Sequence, residues 1–223
     1  MRAITPAEFW MGSPVSEEGR DPDENLHLVV LTRSFAIGRT EVSQDLYEQV
    51  MAQNPSYFQD PAHPVENISW EDALRFCNHY SEQCDLQPAY SWLEDIVFCD
   101  FNASGYRLPT EAEWEFVAKL FIAAEDDDTA QLLQLETLPV ASSDAEISEL
   151  NGNVWEFCWD WYGPYPTQKT TDPVGAASGT ERVIRGGSWV DGKRIRRTAN
   201  RAFVSPQHRS ETIGFRLVRT IID

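Results

Sequence analysis

Along the first part of the chain, apolar positions come in short runs. Between residues 9 and 42, Leu28 to Leu31 and Phe35 to Ile37 alternate with turn formers, which predicts short strands. Ser43 is placed to cap a helix from Gln44 to about Met51, ended by the Asn54-Pro55 turn. Ser69 caps a second helix, along which Trp70, Ala73, Leu74, Cys77 and Tyr80 recur at helical spacing. A third begins at Thr110, which forms a capping box with Glu113, each side chain serving an unpaired backbone N–H at the helix start. From about Leu120 to Glu149, around the acidic run Glu125-Asp126-Asp127-Asp128, the pattern predicts a solvated loop and then a short helix. Beyond it Trp155, Phe157, Trp159 and Trp161 alternate with Glu156, Cys158, Asp160 and Tyr162, which predicts a strand with an aromatic face. Gly214, Phe215 and Leu217 predict a final strand.

Composition adds a fold style to these elements. The 223 residues, 42% hydrophobic, suffice for one large domain or two small ones with a sizeable core. Eight tryptophans, twelve glycines and thirteen prolines fit a chain with few regular elements, held by large aromatics and turns. Irregular backbone leaves many N–H and C=O groups to be satisfied by side chains, waters or ions.

Charge narrows the partners. The net charge of −18 disfavours nucleic acid and membrane surfaces, which are themselves anionic. No stretch approaches the roughly 18–20 apolar residues of a membrane helix, and the residues after Met1 do not resemble a signal peptide. Cys77, Cys84, Cys99 and Cys158 show neither a CxxC spacing nor a zinc pattern with histidine, so they are expected to be reduced and structural, in a cytoplasmic protein. The charge is also uneven. Residues 181–223 hold ten basic residues against four acidic ones, while residues 1–180 total −24. Either the tail arginines pair with carboxylates from the rest of the chain, or they form an anion-binding patch.

Five stretches, in order, carry a family resemblance: Phe9-Trp10-Met11-Gly12-Ser13, Pro64 to Ala73, Arg107 to Glu115, Gly152-Asn153-Val154-Trp155-Glu156-Phe157, and Arg182 to Trp189 leading to Ile213-Gly214-Phe215-Arg216-Leu217. Together they resemble the sulfatase-modifying-factor, or formylglycine-generating enzyme, domain and imply one domain over residues 1–223. The implied fold is α+β, irregular, C-type-lectin-like and low in regular secondary structure. In the catalytic members of that family, two cysteines soon after the Gly-Gly-Ser-aromatic motif bind copper, a soft ion suited to thiolates. The corresponding positions here fall at about Asp191 and Arg196, so the resemblance implies no copper and weighs against catalysis. A Tyr-Pro-Trp-Gly stretch usual in relatives, followed by ligands of one calcium site, is missing between Lys119 and Leu138. For a second, structural calcium the resemblance transfers a side-chain oxygen of Glu149, the carbonyls of Gly152 and Val154, and Glu156, an oxygen set that suits a hard cation. The alternative is that Glu156 pairs with a tail arginine.

Two function classes follow. Some relatives are iron enzymes of sulfur chemistry, but His27, His63, His79 and His208 offer no i,i+4 pair. Other relatives use the scaffold for recognition, often beside other domains of a longer chain, and display binding residues between the Gly-Gly-Ser-Trp and Gly-Phe-Arg motifs. Here that interval presents Val190, Asp191, Lys193, Arg194, Phe203, Gln207, His208 and Glu211. It reads either as a binding surface or as an ordinary exposed loop. The expectation is a non-catalytic module that binds a protein or small ligand. The alternative is an oxidoreductase, formylglycine-generating or iron-dependent, working with residues or a domain not evident in this sequence. Phosphate-binding glycine loops and a GxSxG nucleophile elbow are absent from the sequence.

Overall fold

A computed structural model describes residues 1–121, 137–140 and 146–222. The acidic run and most of the expected loop and helix between Leu120 and Glu149 lie outside the described residues.

The three expected helices form where their caps place them. In α1 (Gln44–Met51) the Ser43 hydroxyl accepts from Leu46 N, and the helix stops at Ala52, whose φ of 57° is left-handed, before the Asn54-Pro55 turn is reached. Helix α2 (Trp70–Gln83) opens on a reciprocal box. Ser69 Oγ accepts from Asp72 N at 3.2 Å, and Asp72 Oδ2 accepts from Ser69 N at 2.7 Å. Helix α3 (Glu111–Phe121) opens on the Thr110–Glu113 box, at 2.9 and 3.2 Å.

The strands form small sheets. In the first, β1 (Arg2–Ile4), β4 (Phe35–Ile37), β13 (Val218–Thr220) and β7 (Tyr106–Arg107) lie in that order, so both ends of the described chain share a sheet. In the second, β8 (Trp155–Trp161) runs between antiparallel β10 (Arg182–Arg185) and parallel β12 (Ile213–Gly214), with β11 (Ala202–Val204) outside β10. Strands β2 (Ala7–Met11), β3 (His27–Leu31) and β9 (Thr170–Thr171) make a third, and β5 (Tyr90–Leu93) with β6 (Ile96–Cys99) a hairpin. No helix among the described residues is long and apolar enough to cross a membrane.

Strand β8 lies between two hydrophobic cores. Trp155 and Phe157 pack with α2, and Cys158 packs with Trp114 and the rest of α3. Both faces of the strand are therefore buried, and Glu156 and Asp160 go inside with it. The expected final strand divides in two. Ile213–Gly214 pairs with β8, Val218–Thr220 pairs with β4 and β7, and Phe215 to Leu217 carries the chain between the sheets. The crossing is set by burial: Phe215 packs edge-on against Phe76, and Arg216 beside it reaches Glu156. Gly214 is needed there, because a Cβ would come within 2.5 Å of the Val65 carbonyl oxygen.

The basic tail is mostly paired internally. Arg185 reaches Glu111 and Glu115 at 2.7 Å each, Arg201 reaches Glu111 at 2.7 Å, Arg197 reaches Glu24 at 2.5 Å and Arg209 reaches Asp72 at 2.6 Å. Arg182 is different. Its guanidinium lies 3.6 Å from the ring centre of Trp70 and 3.3 Å from that of Trp161, and it donates to the Trp159 carbonyl at 2.5 Å. Burial pulls this arginine down to about 9, with the Asp160 carboxyl opposing. All four cysteines are free, with Cys77 and Cys158 buried, Cys99 half-buried and Cys84 exposed. Burial pushes the Cys77 and Cys158 thiols well up, which suits packing rather than nucleophilic chemistry.

Candidate functional site

The segment after β10 turns on Gly186 and Gly187, with φ of 99° and 78°. These left-handed positions favour glycine, and a Cβ on Gly187 would also meet the Arg196 side chain at 2.9 Å. Asp191 then folds inward. Its Oδ2 accepts from Ser188 N at 2.9 Å, Ser188 Oγ at 2.6 Å and Trp155 Nε1 at 2.9 Å. One carboxylate thus ties the turn to the start of β8. Arg196 lies against Gly152 and Gly187 and donates to the Trp189 carbonyl at 3.4 Å. Of the expected display residues, Asp191 is therefore committed to holding the loop.

The others stay on the surface but do not make one continuous patch. Val190 and Lys193 are exposed. Arg194 is exposed too, and reaches Asp21 at 2.9 Å and the Gly19 carbonyl at 3.2 Å. Phe203, on β11, is 43% exposed and lies on Tyr162, ring centres 4.1 Å apart. Tyr162 in turn donates to Asp23 at 2.6 Å, so Phe203 and Arg194 both flank the loop around Asp21–Asp23. Gln207 and His208 occupy a separate turn, whose Pro206 carbonyl accepts from Trp70 N at the start of α2. Glu211 is exposed, and its carbonyl accepts from the Trp189 indole at 3.3 Å.

The segment considered for calcium is organised by an arginine. Glu156 is fully buried, and Arg216 donates to its carboxylate through Nε at 3.0 Å and Nη2 at 2.7 Å. Trp114 Nε1 donates to Oε2 at 2.8 Å. The same guanidinium donates to the carbonyls of Gly38, Ser148 and Glu149. Gly152, with φ of 146°, lies under Arg196, and Val154 is buried in the core. The buried carboxylate and one neighbouring carbonyl already serve Arg216. Beside them burial holds Glu41 well above the usual carboxylate range, against the pull of Arg216, and its Oε1 accepts from Asn153. The histidines are dispersed: His63 contacts Thr137, His79 contacts Met51, and His27 contacts the Asn25 carbonyl.

A cavity of about 420 Å³ lies at the other end of β8, lined by His27, Asp160, Trp161, Tyr165, Thr170 and Arg201 among others. Behind it Glu111 accepts from Arg185 at 2.7 Å, from Arg201 at 2.7 and 2.9 Å, and from the Tyr165 hydroxyl at 2.9 Å. These residues come from six separate segments, so sequence spacing could not assemble them. One signal was legible: Asp160 is a carboxylate set between tryptophans in a strand that both flanking cores bury.

The fold is a known one. Residues 1–221 match the sulfatase-modifying factor enzyme 1-like domain. The chain belongs to that family. Its solved likeness includes Treponema denticola variable protein 1, at 30% identity and a TM-score of 0.87, covering 98% of this chain and 94% of that one. A relative described as chaperone protein LppX, from Paenibacillus barcinonensis, is 28% identical over 208 residues, 72% of this chain and 71% of its own. A formylglycine-generating enzyme from Streptomyces coelicolor is 32% identical over 188 residues, 70% of this chain and 52% of its own. This chain therefore spans about half the length of that enzyme. Treponema denticola variable protein 1 shares the irregular α+β scaffold seen here.

Proposed function

We propose that this chain is a recognition module on the formylglycine-generating enzyme scaffold, non-catalytic at the family's oxidative centre. The observation that carries the reading is Asp191. At one of the two positions the resemblance assigns to copper thiols, its carboxylate instead ties Ser188 to Trp155. The second position, Arg196, is laid across Gly152 and Gly187. Neither side chain replaces a thiolate toward a soft ion. The reading needs no calcium either, because Arg216 already neutralises Glu156.

The proposed docking flank is the surface around Phe203 and Arg194. Phe203 supplies a half-exposed aromatic anchor supported by Tyr162, and exposed Lys193 supplies positive charge beside Arg194, whose guanidinium a partner carboxylate would share with Asp21. Aromatic and arginine side chains dominate binding energy at such patches. The partner that fits is an acidic protein surface with an apolar recess. Capture from the native source, quantified by mass spectrometry, should recover such a partner with the wild-type chain. With Phe203→Ala plus Arg194→Glu, recovery should fall by about tenfold or more, since hot-spot truncation costs ~2 kcal/mol or more. Both positions are at the surface, so the melting temperature should stay within a few degrees. Undiminished capture by the double variant would place the docking face elsewhere.

A further inference from the structure

The cavity at the Trp161 end of β8 is distinct from the Asp191 loop, and it borders the proposed docking flank through Arg201, which lies over Tyr162 beneath Phe203. Strand β8 separates it from that loop by about 20 Å, at roughly 3.3 Å per residue. Its volume of about 420 Å³ is that of a small-molecule site. Met11, Trp161, Tyr165 and Pro164 give it an apolar wall.

The polar groups facing this wall are mostly acceptors. Asp160 is 3% exposed, and among the described residues its carboxyl makes one hydrogen bond, Oδ2 accepting from Glu111 N at 2.8 Å. Among the described residues its other oxygen has no hydrogen-bond partner. His27 is buried with Nδ1 at 2.9 Å from the Asn25 carbonyl, so Nδ1 is the donor and Nε2 is left as an acceptor in the neutral ring. Thr170 Oγ1 is buried with no hydrogen-bond partner among the described residues. The strong donor at the cavity, Arg201, is spent: it grips Glu111 with Nε and Nη2 and gives Nη1 to the carbonyls of Asp23 and Gly163.

We infer that this cavity binds a primary ammonium group carried on a small apolar or aromatic body. An ammonium brings three donors, no acceptor and one positive charge. That matches a set of uncommitted acceptors that includes a buried carboxyl with no ion pair among the described residues, Arg182 and Arg201 acting on it only at longer range. A buried carboxylate is costly unless paired; of the arginines nearby, Arg185 and Arg201 are already held by Glu111 and Glu115, and Arg182 is stacked between Trp70 and Trp161. Burial first, and then the adjacent Glu111 and Glu113 carboxylates, hold Asp160 well above the usual carboxylate range, with Arg201 opposing. A cationic ligand relieves that cost, whereas an anion meets Asp160 and a strongly acidic chain.

The test is calorimetric titration of the whole chain with tryptamine and with tryptophol, which has a hydroxyl in place of the amine. The wild-type protein should bind tryptamine at least tenfold more tightly. Asp160→Asn keeps an oxygen to accept from Glu111 N, so its fold should hold, and it should bring the two ligands to within about threefold. Thr171→Phe, at an exposed position on the cavity rim, should weaken both. Equal wild-type binding of the two ligands overturns the inference, as does an amine preference that survives in Asp160→Asn. If Asp160→Asn melts early, the wild-type ratio and Thr171→Phe decide: a ratio near one, or binding indifferent to Thr171→Phe, overturns it. These outcomes leave the docking flank untouched, because no partner capture enters them.

Discussion

Glu111→Ala is expected to destabilise the protein by roughly 3–5 kcal/mol, the range for removing one partner of a buried ion pair. For a chain of this size each kcal/mol is about 2–4 °C in melting temperature, so the fall should be at least ~6 °C. Glu111 is 3% exposed and is the hub for Arg185, Arg201 and Tyr165. Without it Arg185 keeps Glu115, but Arg201 is left with carbonyls and a carboxylate of Asp23 at 3.8 Å. The same hub predicts a pH effect. Burial alone would raise the Glu111 carboxyl, but Arg201 and Arg185 hold it at about 2, against 4.5 for an ordinary glutamate. A depressed carboxylate adds stability that is complete above the unfolded value and lost as pH falls through the folded one. The wild type should therefore lose this contribution between about pH 4.5 and 2, and Glu111→Ala should show a shallower acid dependence there. Thermal melts across that range check both claims, and parallel curves would remove Glu111 from the role of hub.

Arg216→Met should cost a similar ~3–5 kcal/mol. The guanidinium is fully buried and serves Glu156 together with the carbonyls of Gly38, Ser148 and Glu149. Methionine fills part of the volume but leaves the carboxylate with only the Trp114 indole and the three carbonyls without this donor. Arg216→Lys should rescue little, because an ammonium cannot reproduce the planar fork. The same account bears on calcium. Wild-type melts in calcium and in chelator should superimpose, since Arg216 already takes the place of a cation. A calcium-dependent rise abolished by Glu156→Gln would return an ion to the Glu149–Glu156 segment.

Local signals in the sequence reached the helices and stopped short of the sheets. The Ser69 cap and the Thr110–Glu113 box work within one turn of chain, so their residues alone specify them. The hairpin of Tyr90 to Cys99 and the first strand, Arg2–Ile4, went unseen, and the last strand divides between two sheets. Short strands are stabilised by partners far along the chain, and β13 pairs across more than a hundred residues with β4 and β7. The excess of arginine in the tail was legible, as was its need for carboxylates. Which carboxylate each arginine meets was not, and Arg182, stacked between Trp70 and Trp161, had no sequence signature at all. The cavity was hidden for the same reason: His27, Asp160 and Thr170 carry no spacing that relates them.

The proposed recognition module keeps the scaffold without the family's oxidative chemistry. Its most direct test is mass spectrometry of a cysteine-containing sulfatase peptide incubated with the purified chain, with and without copper(I). The cysteine mass is expected to stay unchanged in both, at every time point. Copper-dependent conversion of that cysteine to formylglycine would contradict it.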